Sequence, residues 1–160
     1  MINAPTVAVT VIGIGNTLMG DDGVGVRVAE ELLSVDFGPG AEIVVGSVAG
    51  MSLVGHLLDS RHVIFVDAID AGDEPGSIFR FDPDDVGVTN LRSNTIHGMS
   101  VSYLVTSARM SGARPDVIVY GVQVADVSCC PDTLSTPVED AAARVVELIA
   151  EEVAGILEAG

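Results

Sequence analysis

Three acidic residues and one histidine are the side chains of this chain whose types and positions could support chemistry together. Asp21 and Asp22 follow a glycine-rich run that begins at Gly13, Asp67 lies near the end of an apolar segment, and His97 precedes a stretch with helical spacing. Carboxylates combined with an imidazole form an oxygen and nitrogen ligand set that suits a borderline divalent ion such as Zn²⁺ or Ni²⁺. Asp and His also act as helix caps, turn formers and solvated loop residues, so the elements that position them matter as much as their types.

The glycine-rich run also has to be compared with nucleotide-binding loops. Gly13 and Gly15 lack a third glycine at Leu18, which breaks the G-x-G-x-x-G pattern. Residues 15–20 match the first half of a P-loop, but the next two positions are aspartates where Lys and Ser or Thr would hold phosphate and magnesium. Because two carboxylates repel phosphate, a nucleotide site is not expected.

The three aspartates also imitate the acidic pair and the phosphoacceptor of response-regulator receiver domains. Such domains need a lysine at the end of the fifth strand to contact the phosphoryl group. This chain contains no lysine, since all seven of its basic residues are arginine. A receiver function is therefore disfavoured as well.

Alternating strand and helix patterns are the elements that must position these residues. Segments dense in Val and Ile predict buried, parallel strands, and stretches with helical spacing separate them. The strands are predicted at residues 6–12, 41–48, 62–69 and 116–124, and the helices at residues 24–33, around Met51 to Leu58, around Val101 to Ala108, and along the C-terminal stretch. The alternation predicts one domain over residues 1–160, a three-layer α/β/α fold with a mostly parallel twisted sheet and helices on both faces.

The predicted sheet brings the candidate residues to one place. Ligands of open α/β sheets bind beyond the carboxyl ends of the strands, and Asp22, Asp67 and His97 all lie there by their position in sequence. They are expected to be exposed rim residues that contribute little to stability, so replacing them should leave the fold nearly intact. Asp21 and Asn16 are expected to shape the turn, with donation of a hydrogen bond to the substrate as the alternative role of Asn16. The Asp21→Ala variant is expected to keep substantial activity.

Three further segments complete the sequence-based prediction. In the last helix, Thr136 is predicted to be the N-cap, Pro137 the first helical residue and Glu139 the partner in a capping box. A short strand is predicted at residues 77–81, followed by a polar, mobile loop at residues 82–94. Adjacent Cys129 and Cys130 show no catalytic or zinc-binding spacing.

Composition excludes several classes of partner. The net charge is −16, and the arginines do not cluster in sequence, so neither nucleic acid nor an anionic membrane surface is an expected partner. The first basic residue is Arg27, so the apolar start lacks the charged region of a secretory signal. A cytoplasmic monomer is the expectation.

Four sequence motifs follow one another along almost the whole chain. They are GIGNTLMGDDGVGVRVAEEL at residues 13–32, GSVAGMSLVGHL at 46–57, VDAI at 66–69 and TLSTPVEDA at 133–141. One such motif would be weak evidence, whereas four in this order and spacing are specific. Together they resemble the hydrogenase maturation endopeptidases, which trim a C-terminal extension from the precursor of a nickel-iron hydrogenase large subunit.

The resemblance implies a set of site residues. The metal contacts of the family fall on Asp22, Asp67 and His97, and the catalytic roles fall on the two aspartates. His56 and His62 are alternatives to His97. They rank below it because His56 is predicted to lie within the second helix and His62 at the starting end of a strand.

The resemblance also implies a substrate and a mechanism. The partner would be a large-subunit precursor that already contains nickel, with Zn²⁺ or another divalent ion expected to substitute in vitro. Bound metal could polarise the scissile carbonyl and activate water, or Asp22 or Asp67 could act as general base. A non-catalytic, nickel-sensing checkpoint protein that binds the metallated precursor without cutting it is the alternative function.

Overall fold

A five-stranded mixed sheet forms the middle layer of the molecule, in the strand order β2-β1-β3-β5-β4. The computed structural model describes residues 3–47, 50–85, 101–125, 127–128 and 130–160. Neighbouring strands run parallel except at the β4 edge, where β4 is antiparallel to β5. The strands are β1 (Val7–Ile14), β2 (Ala41–Ser47), β3 (Ser60–Ile69), β4 (Ile78–Phe81) and β5 (Asp116–Gln123).

Helices cover both faces of this sheet, as the sequence predicts. They are α1 (Val24–Leu32), α2 (Val54–Asp59), α3 (Val101–Met110) and α4 (Thr136–Ala159), and 3₁₀ turns at Gly20–Gly23 and Gly50–Leu53 precede α1 and α2. The apolar stripes of α1 and α4 pack against one face of the sheet, and those of α2 and α3 pack against the other. The predicted α/β/α fold is therefore confirmed.

Alternating side chains of the central strands separate the two cores. Val9 and Val11 of β1 belong to the core under α1 and α4, whereas Ile12 and Ile14 belong to the core under α2 and α3. Both faces of β1 are buried, which is why its sequence is almost continuously apolar. The strand extends through Gly13 and Ile14, two residues beyond the predicted end.

The start of α4 differs from the prediction by one residue. Ser135 is the N-cap residue, so Thr136 is the first helical residue and Pro137 the second. No side-chain hydrogen bond caps the helix, the Ser135 hydroxyl donates to Asp21, and the Glu139 carboxylate pairs with Arg27 at 3.3 Å. The prediction of Thr136 as N-cap was wrong, and the side chains of Ser135 and Glu139 make tertiary contacts instead of a capping box.

Two remaining predictions concern the edge of the sheet and the loop after it. The short strand predicted at residues 77–81 is β4, the antiparallel edge. Residues 82–85 form a turn in which the Asp85 N–H donates to the Asp82 carbonyl at 3.0 Å. Positions 86–94 lie outside the described residues. Within the described part of the chain, no helix is long and apolar enough to cross a membrane.

Candidate active site

Asp22 and Asp67 lie where the connections that follow β1 and precede β3 leave the sheet on opposite sides of β1. β1 continues through α1 to β2 on one side, whereas the chain returns through α2 to β3 on the other side of β1. Asp22 stands in the 3₁₀ turn after β1, and Asp67 stands near the carboxyl end of β3. This switch point between β1 and β3 is the usual ligand crevice of an open α/β sheet.

Close backbone contacts place the turn before α1 over this crevice. A Cβ at Gly25 would stand 2.3 Å from the Val66 carbonyl oxygen and 2.4 Å from that of Ile14. Helix α1 therefore begins directly against the ends of β1 and β3. Gly15 has a φ of +143°, and the Asp22 carbonyl oxygen lies 2.1 Å from its ideal Cβ position. The loop after β1 therefore folds back onto the backbone of Asp22.

Asp22 is oriented by its own turn. Its carboxylate is buried, and its Oδ2 accepts the Asn16 N–H at 3.0 Å. Asn16 in turn accepts the Leu18 N–H at 3.0 Å through its Oδ1, which is an Asx turn. Asn16 thus shapes the turn, as predicted.

Asp67 is also buried, but its surroundings disfavour the charged form of its carboxyl group. Its Oδ1 is shielded from solvent and accepts no hydrogen bond from any described residue. Burial raises the pKa of Asp67 well above its ordinary value, and repulsion by Asp22 raises it further, while a hydrogen bond from the Ala68 backbone works in the opposite direction. Two carboxylates that interact in this way need a proton or a cation between them.

A divalent cation fits this arrangement. Asp22 and Asp67 present carboxylate oxygens from two different elements, and one oxygen of Asp67 is buried without a donor. The described residues contain no cluster of three metal-binding side chains, so the pair alone is an incomplete ligand set. His97 lies outside the described residues.

The positions of helix α3 and of the other two histidines can be compared with the sequence-based ranking of His97 above His56 and His62. Because α3 leads into β5, which is parallel to β3, α3 begins at the carboxyl edge of the sheet, only four positions after His97. His56 lies in α2 and contacts Glu42 at 3.1 Å, and His62 lies near the start of β3, 3.6 Å from Asp116. The predicted positions of His56 and His62 are confirmed.

The expected exposure of the aspartates was wrong. Asp22 and Asp67 are not exposed rim residues, since only 1% and 2% of their surfaces are accessible. Asp21 does belong to the turn, but it is completely buried and accepts hydrogen bonds from Ala125 and Ser135. Asp21 therefore has partners beyond its own turn, and the expected activity of the Asp21→Ala variant stays a prediction. The missed partner Ser135 lies within the TLSTPVEDA motif, which supports the family resemblance and a helix start but does not by itself predict a contact with Asp21.

Comparison with known proteins identifies the family. The sequence model for hydrogenase maturation proteases matches residues 26–152. The chain belongs to this family. The hydrogenase 3 maturation protease of Escherichia coli K12 is 31% identical over 135 residues, which cover 84% of this chain and 83% of that protein. The family resemblance deduced from the motifs is confirmed.

Solved structures of maturation proteases share the fold. The hydrogenase maturating endopeptidase HybD from E. coli superposes with a TM-score of 0.78 at 26% identity, over 96% of this chain and 94% of that chain. The [NiFe] hydrogenase maturation protease HycI from Thermococcus kodakarensis KOD1 gives 0.75 at 30% identity, over 92% of each chain. The chain is therefore an endopeptidase, which favours the catalytic interpretation over the non-catalytic checkpoint protein.

Proposed function

We propose that this maturation protease removes the C-terminal extension of a nickel-iron hydrogenase large-subunit precursor after nickel insertion. The observation that carries the proposal is the buried pair of Asp22 and Asp67 at the switch point of the sheet. Burying two like charges together is costly unless a cation offsets them. A nickel ion carried by the precursor offsets both charges when the precursor binds, which makes recognition depend on nickel.

The proposed ligand set leaves room for the substrate. Asp22 and Asp67 contribute carboxylate oxygens, and His97 contributes an imidazole nitrogen. Three side chains leave coordination positions for substrate thiolates or water, as in catalytic rather than structural sites. The metal, when bound, supplies Lewis-acid chemistry at the scissile carbonyl. Asp22 or Asp67 takes the proton of the attacking water if a carboxylate acts as general base.

Processing of defined precursor forms tests this function. Nickel-loaded and nickel-free precursor are each incubated with chelator-treated protease, and the products are identified by mass spectrometry. Loss of the C-terminal extension is expected only from the nickel-loaded form. Efficient cutting of nickel-free precursor would contradict nickel recognition and favour direct attack assisted by a carboxylate. Binding of the loaded form without any cutting would support the checkpoint function instead.

Substitution of the three ligands tests the site. Asp22→Asn and Asp67→Asn keep the side-chain volume, and His97→Ala removes the imidazole. Each is expected to lower the rate of processing by about 100-fold or more, the usual effect of losing a group that acts on the reacting atoms. His56→Ala is the matched control and is expected to retain processing, because His56 pairs with Glu42 within the fold. Wild-type processing by any of the three variants would remove that residue from the site.

A further inference from the structure

Asp21 joins the two ends of the loop between β5 and α4. Its Oδ2 accepts the Ala125 N–H and the Ser135 hydroxyl, both at 2.8 Å, and its Oδ1 accepts the Ser135 N–H at 2.6 Å. We name the described residues of this loop, 125, 127–128 and 130–135, the strap. We name residues 16–23, which contain Asp21 and Asp22, the acid turn. One buried carboxylate closes the strap and fastens it to the acid turn.

Two backbone hydrogen bonds also join the acid turn to the strap, and each segment donates one of them. The Gly20 N–H of the acid turn donates to the Cys130 carbonyl of the strap at 3.2 Å, and the Asp132 N–H of the strap donates to the Thr17 carbonyl at 2.7 Å. The Arg27 guanidinium of α1 also donates to the Asp132 carbonyl at 3.3 Å. The strap and the acid turn therefore form one connected unit.

Asp22 belongs to this unit, whereas Asp67 does not. The Asp22 carboxylate follows Asp21 directly and accepts the Asn16 N–H from within the acid turn. Asp67 is fixed separately by the pairing of β3 with β5, opposite Gly121. The position of Asp22 relative to Asp67 thus depends on how firmly the acid turn is held.

We infer that Asp21 is a positioning residue, which holds the Asp22 carboxylate against Asp67 by fastening the strap to the acid turn. The inference rests on the proposed function in so far as the Asp22 and Asp67 pair is the reaction centre. Hydrogen bonds to an ionised acceptor are stronger than neutral ones, so three of them give the acid turn a rigid anchor. Asp21 itself does not contact the substrate in this assignment.

The test replaces the carboxylate by an amide of equal volume, Asp21→Asn. An asparagine cannot accept all three donors, because its Nδ2 is itself a donor and faces an N–H or a hydroxyl. Three properties are compared with wild type: hydrogen exchange of the Asn16 amide, affinity for Ni²⁺ alone by calorimetry, and kcat and KM for precursor processing. We expect about tenfold faster exchange at Asn16, since one hydrogen bond's worth of protection is lost. Weaker Ni²⁺ binding and a lower kcat at nearly unchanged KM are also expected.

Two further sets of variants separate positioning from general stability. Val153→Ala removes a buried side-chain contact of α4 that lies outside the acid turn and the strap. Each protein is measured at a temperature the same number of degrees below its own Tm. Val153→Ala should lower Tm while leaving Asn16 exchange and Ni²⁺ affinity unchanged. Ser135→Ala removes only the hydroxyl donor and should show a weaker form of the Asp21→Asn effects, whereas Ser135→Thr should restore wild-type values. The Ser135 pair keeps the test decisive if Asp21→Asn does not fold.

The outcomes distinguish this inference from the proposed function. Wild-type Asn16 exchange and Ni²⁺ affinity in Asp21→Asn and Ser135→Ala, with only a lower Tm, would overturn positioning and leave Asp21 a purely structural residue. Exchange at Asn16 is measured on the protease alone. A wild-type protein that failed to cut precursor would therefore refute the proposed function, while the Asn16 result would still support or overturn the role of Asp21.

Discussion

At the scale of single residues, Asp67 shows a conflict between stability and function. Its carboxylate is buried, its Oδ1 has no hydrogen-bond donor among the described residues, and Asp22 repels it. A residue that served only the fold would be neutral at this position, because a neutral side chain avoids the cost of a buried charge. A buried acid at this position is what the proposed catalytic or metal-binding role of Asp67 requires.

The first prediction follows from this conflict. Asp67→Asn is expected to raise the free energy of unfolding of the metal-free protein at pH 7 by roughly 1–3 kcal/mol, the scale of one unsatisfied buried group, while processing is lost. Urea denaturation measures the change. Asp116→Asn is the control, because its exposed side chain at the amino end of β5 should change stability by less than about 0.5 kcal/mol. A destabilised Asp67→Asn would show that the charge is already compensated within the fold.

The sequence predicts where the acids lie but not how they are held. Asp67 could be placed at the carboxyl end of a strand because a run of Val, Ile and Phe leads directly to it. Its burial could not be predicted, since it depends on how closely α1 approaches β1 and β3. The role of Asp21 was underestimated because its partners, Ala125 and Ser135, lie 104 and 114 residues away in sequence.

At the scale of elements, the start of α1 depends on the absence of a side chain at Gly25. A Cβ there would meet the carbonyl oxygens of Val66 and Ile14 well inside van der Waals distance, and backbone atoms cannot move aside as a flexible side chain can. Gly155, in α4, has nothing within 4 Å of its ideal Cβ position. Gly25 therefore permits the close approach of α1 to the sheet, whereas Gly155 has space for a side chain.

The second prediction compares these glycines. Gly25→Ala should lower the free energy of unfolding by about 1–3 kcal/mol or more, because the added methyl group forces α1 away from the sheet. Gly155→Ala should raise it by about 0.5–1 kcal/mol, because alanine favours the helix and meets no obstacle. Thermal and urea unfolding of both variants would check this pair of opposite signs. Equal effects would mean that α1 is less tightly seated than its geometry indicates.

A polar cluster joins α4 to the edge of the sheet that contains β4. Glu152 of α4 accepts two hydrogen bonds from the Arg80 guanidinium, at 3.1 and 2.5 Å, and one from the Tyr120 hydroxyl. Burial acts to raise the pKa of Glu152, but the hydrogen bonds from Arg80 and Tyr120 outweigh it and lower the pKa. Burial and the bond to Glu152 raise the pKa of Tyr120 to about 12.

The third prediction is a pH-dependent loss in Tyr120→Phe. Removing the hydroxyl should cost about 1 kcal/mol at pH 7, a value reduced from that of a fully buried charged bond because the Glu152 side chain is 20% exposed. Because the pKa of Glu152 is lowered on folding, its contribution is present above its ordinary value of 4.5 and is lost as the pH falls through the folded-state pKa. Urea unfolding at pH 7 and pH 3 should therefore show a smaller difference from wild type at pH 3. An equal difference in unfolding free energy at both pH values would show that Tyr120→Phe acts through packing alone.

The sequence predicts whether each described element is a helix or a strand, but it does not predict which strands lie side by side. Apolar runs and helical spacing give β1, β2, β3, β5 and the helices to within two or three residues. The strand order could not be predicted, because β4 enters the sheet beside β5 and not beside β3, which it follows in sequence. That choice depends on pairing between Ile78–Phe81 and β5, which no local pattern specifies.

At the scale of the whole molecule, acidic side chains greatly outnumber basic ones. The chain has 23 acidic residues and seven arginines. Helix α4 illustrates the imbalance, because its solvent-facing side exposes one arginine, Arg144, against several acids: Glu139, Asp140, Glu147, Glu151 and Glu158. A compact chain with this charge is destabilised by its own repulsion.

The last prediction is that salt stabilises the protein. Raising NaCl from about 0.01 M to 0.5 M shortens the screening length from roughly 30 Å to below 10 Å, which weakens repulsion between acids across the surface. It also weakens ion pairs such as Arg27–Glu139 and Arg144–Glu147, but both are exposed, and such pairs contribute at most about 1 kcal/mol each. Since a net charge of −16 acts over the whole molecule, repulsion should dominate and Tm should rise with salt. Thermal unfolding in NaCl measures the rise, and sucrose at equal osmolality controls for effects that do not depend on charge. A Tm that falls with NaCl would show that the ion pairs, and not the excess of acid, set the electrostatic stability.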